Sequence, residues 1–156
     1  MSRLTQGICL ESSNYFLRLI WREEQMQGNE KTGLTQVQTK NAPAPAGTYS
    51  QAIIAHGLLF IAGQGPFDLH GIRDLGTFRH EMLLTLKNLE AIAESAGASI
   101  HSAVRFGVYL KDMGNFKEMN EIFTEYLKPP YPARTTIPVN LNNFQIEIDV
   151  VIKMPD

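Results

Sequence analysis

Two hydrophobic periods take turns along the chain from Tyr49 onward, one of two residues and one of three to four. "SQAIIA" and "LLFIAGQ" are apolar runs separated by His56-Gly57, a two-residue turn signature that predicts a β-hairpin. In "FRHEMLLTLKNLEAIAESAG", Phe78, Met82, Leu86, Leu89 and Ala93 fall on one stripe, widened by Leu83 and Ile92. That spacing predicts a helix, with Thr77 as its N-cap and Gly97 as its stop. "SAVRFGVYL" reads as a strand. "NFKEMNEIFTEYL" predicts a second helix, with Asn115 and Glu118 spaced as a capping pair and Phe116, Met119, Phe123 and Tyr126 on the buried face. "RTTIPVNL" and "FQIEIDVVIKM" are closing strands joined through an Asn142-Asn143 turn. In the last of them Ile146, Ile148, Val150 and Ile152 share one face, and Glu147, Asp149 and Lys153 share the other.

The predicted order is β-β-α-β-α-β-β. Two helices covering one side of a mixed sheet make a two-layer α+β sandwich. The opposite sheet face mixes isolated acids with Val139 and Val151, which suits a subunit interface better than open water. Residues 1–40 differ in character: "ICLESSNYFLRLIWREE" is apolar without clean periodicity, and "QMQGNEKTGLTQVQTKN" is polar and interrupted by glycine. Two readings fit that segment. One is a flexible extension that docks in part through Phe16, Ile20 and Trp21; the other is a translated leader with the native start at Met26. Residues 41–156 then form the domain.

Composition narrows the function classes. The 156 residues carry a formal charge of −2, which gives no basic field to steer nucleic acid. The lone cysteine, Cys9, excludes an intramolecular disulfide and a thiolate zinc cluster, and fits a reducing, cytoplasmic setting. His56, His70, His80 and His101 show no metal-ligand spacing, and no apolar run is long enough to span a membrane.

No nucleophile stands out. Cys9 lies in the extension, and Ser50 lacks the context of a nucleophile elbow. "GQG" at 63–65 is followed by Pro66, not by a helix that would cradle phosphates. Four polar residues remain near element ends or on the unexplained sheet face: Arg134, Glu147, Tyr49 and Asn120. Pro129, Pro130 and Pro132 stiffen the approach to Arg134, so its fork is held for a planar carboxylate; a structural ion pair is the plainer alternative. Glu147 is either a solvated acid or a partly desolvated base for a water. Asn120 is otherwise a polar-face residue, and Tyr49 a packing residue with a satisfied hydroxyl.

The segments "APAPAGTYSQAI", "LLFIAGQGPFD", "NLEAIAESAGASI", "VRFGVYLKDMGNFKEMNEIF", "YPARTTIPV" and "IEIDVVI" together resemble the reactive-intermediate imine deaminase family (RidA, or YjgF-like) over about residues 40 to 154. The resemblance implies a chorismate-mutase-like fold and a homotrimer with clefts between subunits. It implies hydrolysis of 2-imino acids and their enamine tautomers to 2-keto acids and ammonia, with no metal or cofactor. Arg134 then clamps the substrate carboxylate, and Glu147 orients the attacking water. Tyr49 and Asn120 complete the cleft, with main-chain groups at Gly63 and around Thr136. Small 2-imino and 2-keto acids are the expected partners; nucleic acid and membrane are not. Thr48, Ala62, Gly65, Thr136 and the "NLNNF" turn depart from the family pattern and put substrate preference in question. Two other readings stay open: a regulatory trimer that binds carboxylates without turnover, and an endoribonuclease acting on single-stranded RNA.

Overall fold

The structure is a computed structural model and describes residues 33–155. The expectations for an extension or leader fall mostly on residues 1–32, outside those described. The hairpin forms where the turn chemistry places it. β2 (Ala52–Ala55) and β3 (Leu58–Gln64) pair antiparallel around His56 and Gly57, which have φ of 50° and 73°. Positive φ at both turn residues gives the twist that the flanking strands need. A short strand that the polar pattern did not predict, β1 (Thr35–Val37), adds to the outer edge of β2.

α1 (Phe78–Ser95) starts at Thr77, whose hydroxyl accepts from His80 N–H at 3.2 Å. It ends in a Schellman turn: Ala98 N–H reaches Ala93 O, Gly97 N–H reaches Glu94 O, and Gly97 takes a φ of 74°. β4 (Ala103–Leu110) follows, then α2 (Phe116–Tyr126), β5 (Ala133–Pro138) and β6 (Ile146–Lys153). The sheet order is β1-β2-β3-β6-β4-β5. β4 and β5 are parallel, as their crossover through α2 requires, and β6 inserts antiparallel between β3 and β4. The expected mixed sheet with two helices on one face is therefore present.

The core lies between the helices and one sheet face. Met82, Leu86, Leu89 and Ile92 of α1 and Met119 and Ile122 of α2 are fully buried. They meet Leu59, Phe106, Val108, Leu110, Ile146, Ile148 and Ile152 of the sheet, each at 0 % exposure. Each such side chain contributes about 1.5–3 kcal/mol of burial. Phe106 and Phe123 meet edge-to-face at 5.4 Å and lock α2 to β4.

Three details differ from the sequence expectation. Leu83 lies on the rim of the α1 stripe and is 39 % exposed. Phe116 is equally exposed and Tyr126 half-buried, while Ile122 takes a buried place on α2. The Asn115 side chain makes no cap bond; a 3₁₀ turn, Met113–Asn115, leads into α2 and is capped by Asp112, which accepts from Gly114 N–H at 2.8 Å. The other sheet face carries Phe60 and Ile137 at 44 % and 42 % exposure, with no helix over it among the described residues.

Candidate active site

The strand registers divide the candidate residues between two places. Arg134 pairs with Phe106 across the parallel ladder, so its side chain leaves β5 on the helix-covered side, at the sheet's edge. Glu147 pairs with Tyr109 on β4, and its neighbours Ile146 and Ile148 point into the core. Glu147 therefore leaves the open face. The two groups belong to opposite sides of one sheet.

The Arg134 side is a cleft of about 330 Å³ with Asn120, Phe123, Thr124, Tyr131 and Pro132 in its walls. Asn120 sits one helical turn after Phe116 and donates Nδ2–H to the Phe116 carbonyl at 2.9 Å. That bond turns its Oδ1 outward, where it accepts from Arg134 Nη2–H at 2.7 Å. The guanidinium carbon also lies 5.3 Å from the Phe123 ring centre and 5.7 Å from that of Phe116, within cation–π range. Desolvation lowers the Arg134 pKa, yet a guanidinium stays charged throughout the physiological range. No carboxylate pairs with Arg134 among the described residues. The alternative of a structural ion pair thus finds no partner there.

The Glu147 side is a cleft of about 480 Å³, walled by the Pro43–Ala46 loop, Tyr49, Gly63, Gly65, Phe67 and Phe144. Glu147 is half-buried and has no hydrogen-bond partner among the described residues. Burial first, and the charge of Asp149 second, hold its carboxyl above the usual glutamate range. Its side chain lies across Gly63: a Cβ there would collide with Oε1 and sit 3.1 Å from Cδ. Glycine at 63 is therefore a condition for the orientation of Glu147. The Tyr49 hydroxyl accepts from Ala46 N–H at 3.0 Å, which leaves its own proton available to the cleft.

Tyr49, Gly63 and Glu147 are thus brought together, and Asn120 joins Arg134. Thr136 lines neither cleft. Its Oγ1 is buried on the Arg134 side of β5 without a hydrogen-bond partner among the described residues.

Three supporting residues were not singled out from the sequence. Gln51 is buried and grips the loop before β2 at both ends of its amide: Oε1 accepts from Thr39 N–H at 2.7 Å, and Nε2 donates to the Pro43 carbonyl at 2.8 Å. Asn88 reaches from α1 to the carbonyls of Gly65 and Phe67, at 3.2 and 2.9 Å, and fixes the far wall of the Glu147 cleft. Glu81 accepts from the backbone N–H of Gln145 at 2.7 Å and its side-chain amide at 2.9 Å, and so holds the entry to β6. A signal for the last two existed. Glu81, Thr85 and Asn88 form a polar seam at spacings of four and three beside the apolar stripe, and all three are buried.

Comparison with known proteins agrees with this architecture. The family profile described as Endoribonuclease L-PSP matches residues 39–154. A RutC family protein of Pyrococcus horikoshii is 42 % identical over 117 residues, covering 74 % of this chain and 90 % of that protein. A RutC family protein of Aquifex aeolicus is 35 % identical over 122 residues, covering 76 % and 98 %. The crystal structure of RidA from an Antarctic Psychrobacter species superposes with a TM-score of 0.72 at 36 % identity, covering 77 % of this chain and 99 % of that one. The chain belongs to the endoribonuclease L-PSP family, the RidA and YjgF-like proteins.

Proposed function

We propose that this protein hydrolyses 2-imino acids and their enamine tautomers to 2-keto acids and ammonia, in clefts that join two copies of the chain. The observation that carries this reading is the division of the site. A guanidinium with no anion and a carboxylate with no donor among the described residues stand on opposite faces of one sheet, in separate clefts. A neighbouring copy that docks its β5 edge against the open face brings its Arg134 to the Glu147 cleft. The apolar Phe60 and Ile137 on that face are the surface such a contact would cover. A closed ring of copies, expected to be a trimer, repeats the contact without leaving an unused surface.

The chemistry follows from the parts. Arg134 grips the carboxylate through a charge-assisted fork, held by Asn120 and the two aromatic rings. The C2 carbon of a 2-imino acid is already electrophilic, so a placed water suffices as nucleophile. Glu147 accepts a proton as the water attacks C2, giving a tetrahedral carbinolamine. Glu147 returns that proton to the nitrogen; the carbinolamine hydroxyl then gives up its own proton to the nitrogen by way of Glu147, the C–N bond breaks to release ammonia, and the C2 oxygen becomes the keto group. The Tyr49 hydroxyl and the main chain at Gly63 steady the oxygen and nitrogen during that exchange. A cytoplasmic setting accords with the single cysteine, and no helix among the described residues is long and apolar enough to cross a membrane.

Subunit mixing tests the reading. At substrate well below KM, Arg134→Ala and Glu147→Gln homo-oligomers should each release keto acid at least about tenfold more slowly than the parent when a pyridoxal-phosphate dehydratase supplies 2-aminoacrylate. Unfolded and reassembled together in equal amounts, they should regain activity in roughly a quarter of their clefts, those pairing one intact residue from each parent. No recovery, with mixed assembly verified by mass, would rule out a shared cleft. Calorimetric binding of 2-ketobutyrate without turnover by the unmutated protein would favour a carboxylate sensor instead. Cleavage of single-stranded RNA that Arg134→Ala abolishes would favour the activity in the family's description.

A further inference from the structure

The two acids of β6 are mounted alike and aimed apart. Glu147 leans across a glycine of β3, Gly63; Asp149 leans across a glycine of β4, Gly107, its own ladder partner. A Cβ at Gly107 would collide with Asp149 Oδ2 and sit 2.9 Å from Cγ. Both strands beside β6 therefore lack a side chain where an acid must lie down. Two like charges two residues apart on one sheet face repel, and each has been given room to turn outward on its own side.

Asp149 is anchored there, whereas Glu147 is not. Asp149 Oδ2 accepts from the Tyr109 hydroxyl at 2.7 Å, and Oδ1 accepts from Arg105 Nη1–H at 3.1 Å. Tyr109 is the ladder partner of Glu147 on the neighbouring strand, yet its hydroxyl bond goes diagonally to Asp149. The result is one acid with donors and a neighbouring acid kept without them.

We propose that Asp149, fixed by Tyr109 and Arg105, is a positioning residue for Glu147: it takes the donor Glu147 would otherwise bind, turns that carboxylate toward the cleft, and makes it a stronger base. The proposal rests on the reading of Glu147 as the base for water. Its electrostatic part agrees with the upward shift at Glu147, to which burial contributes most and the Asp149 charge next. The groups around Glu147 are Asp149 on its own strand, with Arg105 bound to it from β4, Tyr109 opposite on β4, and Tyr49 from the loop before β2; β3 offers Gly63 and Gln64, neither of which titrates.

The test reads Glu147 directly. In full-length protein carrying carbon-13 at the glutamate carboxyls, the Glu147 resonance is identified by its loss in Glu147→Gln and then titrated. Asp149→Asn removes a negative neighbour, so the Glu147 midpoint should move to lower pH. Arg105→Gln removes the charge that partly offsets Asp149, so the midpoint should move to higher pH. Opposite displacements support the proposal; no displacement, or both in one direction, overturns it. The acid limb of kcat/KM for imine hydrolysis should follow each shift. If the resonance moves in opposite directions and the acid limb does not follow, Asp149 still governs Glu147, and the deaminase reading is the one that falls.

Discussion

At the edge of the sheet the Arg134 guanidinium has an amide oxygen 2.7 Å away and two aromatic rings beneath it; mid-sheet, the Glu147 carboxylate has no hydrogen-bond partner among the described residues. The first group rests in a prepared socket. The second is held by exclusion: a glycine makes room for it, and a tyrosine hydroxyl that stands beside it is engaged elsewhere. A binding group works best when its geometry is set before the ligand arrives, because less ordering then remains to be done. A base works best when its lone pairs are unengaged and its charged form is poorly solvated. On the proposed function, the difference between the clefts is the difference between holding and reacting.

That contrast can be broken by experiment. The largest effect should come from Glu147→Gln, which keeps the shape and removes the base: kcat for imine hydrolysis is expected to fall by about 10²–10⁴ with little change in KM. Arg134→Ala should cost about 1.5–3 kcal/mol, or roughly 10- to 150-fold in kcat/KM, and should act mainly through KM. If Arg134→Ala lowers kcat and spares KM, the division between holding and reacting is wrong. A smaller effect, about fivefold in KM, is expected for Asn120→Ala, which removes a single bond to the fork and leaves its aromatic seat.

The smallest effect is on stability, and its sign sharpens the comparison. The folded-state pKa of Glu147 is raised, so between its unfolded and folded values the native state binds more protons than the unfolded one. Stability from this group therefore declines as pH climbs through that window and stays reduced above it. Glu147→Gln removes the cost. Its Tm should exceed the parent's by about a few degrees at neutral pH, and the gain should vanish once the pH drops below the ordinary glutamate range. A glutamine variant less stable at neutral pH would show that the carboxylate is more comfortably solvated than its surroundings imply.

Much of the fold was legible in the chain. His56-Gly57, Thr77 and Gly97 each mark a boundary by local backbone chemistry, and each does so in the structure. The alternation of Ile146, Ile148, Val150 and Ile152 with Glu147 and Asp149 assigned the faces of β6 correctly because a strand's period leaves no choice. Where the reading missed, a neighbour decided. Asn115 has the residue type and spacing of a cap, but the 3₁₀ turn before α2 is capped one step earlier by Asp112. Leu83 and Phe116 are apolar at helical spacing, yet both are 39 % exposed. β1 has no apolar alternation, and its place comes from pairing with β2.

The candidate site divides in the same way. Residue type and position singled out Arg134, Glu147, Tyr49 and Asn120 as polar groups, and the resemblance to the family added Gly63. Only the tertiary structure decided that they lie in two separate clefts. Which side of a sheet a residue leaves from depends on register, and register between β4, β5 and β6 is set by long-range pairing that no local pattern encodes. The same pairing lays Gly63 and Gly107 under the two acids, and so turns two isolated carboxylates into one anchored and one without a partner among the described residues.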